Sequence, residues 1–282
     1  MTDLSPAPTA ETTIWDAAAE GWHRHAPIIR RWLERPTRAM IDMAGIAPGQ
    51  TVLDVAAGAG DQTLDLAQAV GPTGHVTATD ISPGILRFAA SAARAAGHAN
   101  VTTHRADATA LGLPAQTFDA AICRLGLMFL PDPLTGLRDI RRTLKPGARL
   151  ATMVFAPPDR NPCLAILMAT ALRHANLPPQ DPFAPGGLTS LGRPGHLADL
   201  FAKAGFHTVA STTMDAPFHL ARTEHYIAFV RDAAGPIRSI LAALPADREQ
   251  AAWDDITRQL AAFQGDAGWV GPNTLLLTVG TC

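Results

Sequence analysis

The chain is short of cysteine, of tyrosine and of clustered charge. Cys123, Cys163 and Cys282 are three scattered cysteines without C-x-x-C spacing. They predict neither a disulfide framework nor a metal site, and they fit a reducing compartment. No block of lysine or arginine occurs and the formal charge is −2. A nucleic-acid partner is therefore not expected. No apolar run reaches the ~20 residues that span a bilayer, so no membrane span is expected either. Residues 1–13 are polar and rich in Pro and Thr, without the basic and apolar regions of a secretory leader. These shortages together predict a cytoplasmic protein. What is plentiful is apolar surface: 47% of 282 residues, enough for one large domain or for a domain with an elaborated cap.

The most informative stretch is Thr51-Val52-Leu53-Asp54-Val55-Ala56-Ala57-Gly58-Ala59-Gly60-Asp61-Gln62-Thr63. A short apolar run ends in small residues, two glycines follow, and Leu64, Leu66, Ala67 and Val70 then take helical spacing. This predicts a buried strand, a tight turn and a helix start. Glycine lets backbone approach a ligand closely, and the helix N-terminus beyond favours polar or anionic groups. About twenty residues on, where nucleotide-binding sheets carry an acid for the ribose hydroxyls, a second apolar run ends in Asp80. A simpler role for Asp80 is a turn or helix-start carboxylate.

Taken in order, residues up to about 12 read as a loose tail. Residues 14–44 read as helical, with Trp15, Ala18, Ala19 and Trp22 on one stripe and Pro27 and Pro36 breaking the region into pieces. Trp15 and Trp22 suit either core packing or a lid. Ser82 and Pro83 predict the start of a helix that stops at Gly97, and Asp132 predicts the cap of another. Strands are expected at 51–55, 75–80, 101–106, 118–123 and 149–155. Strand and helix thus alternate five times, which implies a doubly wound, mostly parallel sheet with its ligand at the carboxyl ends of the strands.

Beyond Pro158 the texture changes. A helix over 162–175, a Pro/Gly-rich loop over 178–192 and a helix over 194–204 precede a sixth strand at 206–214. Helices near 224–230, 237–244 and 248–263 and a last strand at 274–279 complete seven strands. The expected organisation is a tail and helical lid over 1–45, a Rossmann-like core over 46–157, a cover insertion over 158–205, and the remainder of the core with added helices over 206–282.

A dinucleotide turn wants a third glycine where this chain has Thr63. The whole set of signposts instead resembles class I S-adenosylmethionine-dependent methyltransferases, most closely the ubiquinone/menaquinone C-methyltransferase type. The residues carrying it are Val52 to Asp61, Gly74-His75-Val76 through Asp80-Ile81-Ser82 with Ile85-Leu86, Ala106-Asp107-Ala108, Leu113-Pro114, Phe118-Asp119 and Leu144-Lys145-Pro146-Gly147. The resemblance covers roughly 50–157. Ala56 stands where that family's turn usually has its first glycine, a departure the quinone enzymes share. It implies S-adenosylmethionine as cofactor, with Ala56 and Gly58 against its methionine part and Asp54 near its amino group, through water. It also implies Asp80 on the ribose, Ile81 on the adenine, Asp107 and Ala108 at the adenine edge, and Arg124 between cofactor and substrate. The later tyrosine-rich segment of the quinone enzymes has no counterpart, since Tyr226 is the only tyrosine.

The expected acceptor is a small aromatic or lipophilic molecule. Cys123-Arg124-Leu125-Gly126 occupies the place where nucleic-acid amino-methyltransferases carry an Asn/Asp-Pro-Pro-aromatic run. Candidate acceptor walls are Trp22, Met128, Phe129, Phe183 and Phe229. His23, His25, His174, His219 and His225 lie in covering regions, but none is singled out as a base. The acceptor atom (O, C, N or S) stays open, as does a homodimer. The alternative function is a non-catalytic cofactor-binding or interaction protein on the same fold.

Overall fold

The computed structural model describes residues 10–282, with side chains from Thr12 onward. Residues 1–9 of the expected tail lie outside the described residues. The chain runs α1 (Ala10–Ala44), β1 (Thr51–Val55), α2 (Asp61–Val70), β2 (His75–Asp80), α3 (Pro83–Ala95), β3 (Val101–Arg105), β4 (Phe118–Arg124), α4 (Pro133–Thr143) and β5 (Leu144–Phe155). It continues through α5 (Pro162–His174), α6 (His196–Lys203), β6 (His207–Asp215), β7 (Phe218–Leu220), α7 (Thr223–Ala233), α8 (Gly235–Leu241), α9 (Ala246–Leu260), β8 (Gln264–Gly265), β9 (Gly268–Gly271) and β10 (Thr274–Thr281).

Val52, Leu53 and Val55 are fully buried because β1 sits mid-sheet with helices on both faces. Seven strands are ordered β3-β2-β1-β4-β5-β10-β6. β1 to β5 pair in parallel, while β10 runs antiparallel to both β5 and β6. The fold is the expected Rossmann-like, mostly parallel doubly wound sheet. Strand order reverses between β1 and β4, which opens a crevice at their carboxyl ends. The predicted caps form: Ser82 Oγ accepts from the Ile85 N–H at 3.0 Å, and Asp132 accepts from the N–H groups of Leu134 and Thr135.

Residues 10–44 differ from expectation. They form one 35-residue helix that contains both Pro27 and Pro36. Each proline removes one N–H and crowds the carbonyl one turn back. Burial of Ala18, Ile29, Leu33 and Met40 along one stripe holds the helix through both. Its N-terminal half reaches over the strand ends, where Arg24 and His25 bond Asp232 of α7 at 2.6 and 2.9 Å. Gly21 is needed there, because a Cβ would fall 2.2 Å from the Asp232 carbonyl oxygen.

The structure added to the sheet comes from two places. Of the insertion after β5, α6 returns to pack beside α4 and β6. The larger part of the added structure lies between β6 and β10: the expected helices, α7, α8 and α9, and a three-stranded sheet ordered β7-β9-β8 that the sequence did not foreshadow. With α5 these elements enclose a second apolar core around Leu167, Ile227, Trp253, Ile256 and Trp269.

Candidate active site

The turn after β1 is built from strained and permissive backbone. Ala56 has φ 55°, Gly58 57° and Gly60 89°. Ala56 adopts the left-handed conformation that an L-residue tolerates poorly, and Leu125 at the end of β4 does the same at φ 56°. The two residues follow the carboxyl ends of the neighbouring strands β1 and β4. The turns also touch, since a Cβ on Gly126 would lie 2.4 Å from Ala56 Cβ. Gly60 brings α2 against α3, where a Cβ would meet Ala89 at 2.8 Å.

These turns floor a cavity that opens to solvent. Ala56, Gly58, Asp80, Ile81, Asp107, Ala108 and Arg124 all line it. Asp80 is held rigidly: the Gly58 N–H donates to Oδ2 and the Ser82 N–H to Oδ1, each at 3.0 Å. Burial pushes its carboxyl up to about 6, against these N–H groups, which lower it. Asp107 Oδ1 accepts from the backbone and hydroxyl of Thr109, each at 2.8 Å.

Asp54 is not in the cavity wall. It lies one layer behind, fully buried, accepting from Thr63 Oγ1 at 2.6 Å and Gln62 Nε2 at 3.2 Å. Its carboxyl is pushed up to about 7, chiefly by burial, with those two hydrogen bonds and the charge of Arg124 opposing. The residues that do reach the cavity there are Asp61 and Gln62. Arg124 Nη2 donates to Asp61 Oδ2 and, at 2.7 Å, to Gln62 Oε1, while Nη1 donates to Thr37 Oγ1 at 3.0 Å. Asp61 and Gln62 were not singled out from sequence, although their place directly after the glycines, at a helix N-terminus, was a usable signal.

A second cavity adjoins the first, and Trp15, Trp22, Leu125 and Phe129 line both. Its walls are aromatic and aliphatic: Trp22, Met128, Phe129 and Phe229 stand here with Trp32, Phe218 and Trp269. Phe183 does not line either cavity. It lies under the Arg193 guanidinium, 4.6 Å from ring centre to Cζ, because the 178–192 loop turns its Leu188 inward instead. The five covering histidines line neither cavity: His23 stacks on Phe88, His25 bonds Asp232, His174 bonds Asp255, and His219 and His225 line a groove elsewhere. Cys163 does line the apolar chamber, but burial pushes its thiol up to about 12.

The N-terminal helix is fastened to the rim of the first cavity. Asp16 of α1 accepts from Ser82 Oγ and from the Gly84 N–H at 3.0 Å, bridging onto the start of α3. A Cβ on Gly84 would stand 2.7 Å from that carboxylate. Trp15 packs edge-on against Phe129 at 4.9 Å.

Comparison with known proteins agrees with this geometry. The UbiE ubiquinone/menaquinone biosynthesis C-methyltransferase of Pasteurella multocida is 40% identical over 126 residues, which are 44% of this chain and 47% of that protein. UbiE of Escherichia coli K12 is likewise 40% identical over 126 residues, 50% of its length. The chain thus matches about half the length of these curated relatives. Among solved structures, YcgJ of Bacillus subtilis superposes with a TM-score of 0.59 at 20% identity, over 88% of this chain and 98% of that one. Phosphoethanolamine N-methyltransferase 2 of Haemonchus contortus gives 0.59 at 15% identity, over 98% and 61%. SpnF, a 4+2 cyclase, gives 0.55 at 19% identity, over 98% and 97%. Such distant likenesses establish the fold alone. The model of the ubiE/COQ5 methyltransferase family, however, matches residues 28–168, half of the chain, and this chain belongs to that family.

Proposed function

We propose that this protein is an S-adenosylmethionine-dependent methyltransferase whose acceptor is a small aromatic or lipophilic molecule. The observation that carries this is the pair of adjoining cavities, one polar at the strand ends and one apolar beneath the cap, with Trp15, Trp22, Leu125 and Phe129 as their common wall.

The polar cavity suits the cofactor. Asp80 offers carboxylate lone pairs to ribose hydroxyls, Ile81 an apolar surface for the adenine, and Asp107 with Ala108 an edge for its amino group. Ala56 and Gly58 leave backbone room for the methionine part, and Asp61, Gln62 and Arg124 supply polar partners there. Asp54 acts from behind by orienting Gln62 and Thr63. S-adenosylmethionine, when bound, supplies a methyl group activated by a sulfonium centre.

The chain's own contribution is to hold the acceptor, orient it and keep water away. Among the residues lining the apolar chamber, Cys163 and Tyr226 are the titratable ones, and burial pushes both upward. Neither is a base near neutral pH. The two UbiE relatives are named for C-methylation in quinone biosynthesis, but many chamber walls here, from Phe218 to Asn273, lie beyond the family-matched stretch. The acceptor is therefore not carried over from those names.

Incubation with methyl-labelled cofactor and a panel of phenols, quinols and thiols should transfer label to at least one of them. Because the same fold serves a cyclase in SpnF, methyl transfer itself must be observed. Binding of NADH in place of S-adenosylmethionine would overturn the reading. Tight cofactor binding without transfer to any compound would favour a non-catalytic cofactor-binding protein.

A further inference from the structure

The seven-stranded sheet ends in β3 on one side and in β6 on the other. β3 is five residues long and closes with His104 and Arg105. β6 is nine residues long, and its stretch Thr208-Val209-Ala210-Ser211-Thr212-Thr213-Met214 carries neither charge nor proline. Val209 and Met214 are half-buried and the rest of β6 is exposed. Sheets blunt a free edge with lysine, proline or a short strand, because its open N–H and C=O groups template further pairing. Here the one such device is a bulge at Thr208, where φ is 50° and the register against β10 shifts. Ala210 to Asp215 stay in unbroken register with β10. The Ala216 N–H donates to the Asn273 carbonyl at 2.8 Å. Backbone direction alternates along a strand, so Ala210, Thr212 and Met214 bond β10, while Val209, Ser211, Thr213 and Asp215 turn N–H and C=O to the open edge.

We infer that β6 is a homodimer interface: two copies of this chain pair their β6 strands antiparallel about a two-fold axis at Thr212, making one continuous sheet. A two-fold interface must be self-complementary. About Thr212, Ser211 of each copy exchanges both backbone hydrogen bonds with Thr213 of the other, and Val209 does so with Asp215. Thr212 meets its own counterpart, a favourable cross-strand pair. The ends of the strand complement each other too. Antiparallel pairing brings the basic His207 of one copy beside the acidic Asp215 of the other, at both ends. His207 Nδ1 is engaged by Thr208 Oγ1 at 3.2 Å, which leaves Nε2 open among the described residues. Asp215 takes Arg160 and the Thr274 hydroxyl on Oδ1, at 3.3 and 2.8 Å, which leaves Oδ2 open on a side chain 74% exposed. A second copy presents those two ends in reversed order, as the pairing requires; an unrelated strand has no reason to. No residue of β6 lines the polar cavity or the apolar chamber, so the interface stands apart from the choice of acceptor.

Light scattering and residue-resolved hydrogen exchange on the full chain test it. The wild type should have the mass of a dimer. Thr213→Pro removes an N–H that faces the open edge and keeps the backbone bonds to β10. Thr212→Lys sets two like charges against each other at the axis. Each should weaken dimerisation about tenfold or more. His207→Asp should weaken it less, and more at low salt than at high salt. In the wild type the Ser211 and Thr213 amides should be protected from exchange, and in Thr212→Lys the Ser211 and Thr213 amides should exchange freely. The amides of Ala210 and Met214 should stay protected in both proteins, which shows that β6 still pairs with β10. A wild-type monomer at every concentration tested would overturn the inference. So would a dimer that survives both Thr213→Pro and Thr212→Lys, or one whose Ser211 and Thr213 amides exchange freely.

Discussion

The polar cavity and the apolar chamber share a wall but follow opposite plans. Apart from the lid, the polar cavity is lined by residues between Val55 and Pro131, at the ends of neighbouring parallel strands. The apolar chamber gathers walls from α1, the turn after β4, α5, the 178–192 loop, α7, α8 and β9. A site built at strand ends inherits its geometry from the sheet. A site built between separate helices exists only once every one of them has packed. Changes near the first should therefore read as cofactor effects or as collapse of a local network, and changes near the second as acceptor effects.

The sharpest way to break that division is at Arg124, whose side chain is 5% exposed and pairs with Asp61 at 8%. Arg124→Met leaves a buried carboxylate uncompensated and should destabilise the fold by about 3–5 kcal/mol in urea denaturation. Adding Asp61→Leu should recover most of that loss. If the single variant is as stable as wild type, the polar floor is not a coupled network.

Asp80→Ala comes next. It should weaken cofactor binding by about 1.5–3 kcal/mol, the range for hydrogen bonds to charged groups. Affinity for an apolar probe such as 1-methylnaphthalene should stay constant. Calorimetry showing unchanged cofactor affinity in a folded variant would remove Asp80 from the ribose contact.

The pH dependence separates the two cavities in another way, because the raised carboxyls lie in the wall of the polar one, Asp80, or just behind it, Asp54. Asp54 and Asp80 titrate at about 7 and about 6 in the fold, against ~3.9 in an unfolded chain. Folding therefore takes up protons between those values. Their contribution to stability is fully present below about pH 4 and is lost as pH rises through 6 and then 7. Denaturant titrations from pH 4.5 to 8 should show a decline for wild type that is shallower in Asp54→Asn and in Asp80→Asn. Cofactor affinity should rise over the same interval, as Asp80 ionises and becomes the better acceptor. Parallel curves for all three proteins would show that neither group titrates there.

The smallest expected effect concerns the lid. Asp16→Ala removes the bridge to Ser82 and Gly84 and should cost about 1 kcal/mol, the size of a lost cap. Hydrogen exchange in residues 14–30 should quicken in the variant. In wild type, residues 14–30 and 176–192 should gain protection when ligand binds, since acceptor and products must pass a mobile cover. No gain in either segment would dismiss the lid.

Legibility in the sequence follows the same division. Val52-Leu53-Asp54-Val55 with Gly58 and Gly60, the acid at Asp80 and the Ser82-Pro83 cap were readable because each depends on its near neighbours. That Asp54 stands one layer behind the cavity wall was not readable, because alternation along a strand does not say which neighbouring residue will take the cavity face. Phe183 was a plausible wall that the 178–192 loop turned outward, while Leu188 went in. Pro27 and Pro36 looked like breaks, yet burial of a continuous stripe overrode them. The small sheet of β7, β9 and β8 escaped notice because strands of two to four residues carry almost no periodic signal.

By itself, then, the sequence determined the alternation of strand and helix, the turn that opens the polar cavity and the acids at the strand ends, since these are encoded within a few residues of one another. Only the tertiary structure decided that Ala56 would carry a left-handed backbone against Gly126, that Arg124 would find Asp61, and that Trp22 and Trp269 would line one chamber. Trp22 and Trp269 stand near opposite ends of the chain, so their sharing a wall depends on how separate elements pack, and no local pattern in the sequence records it.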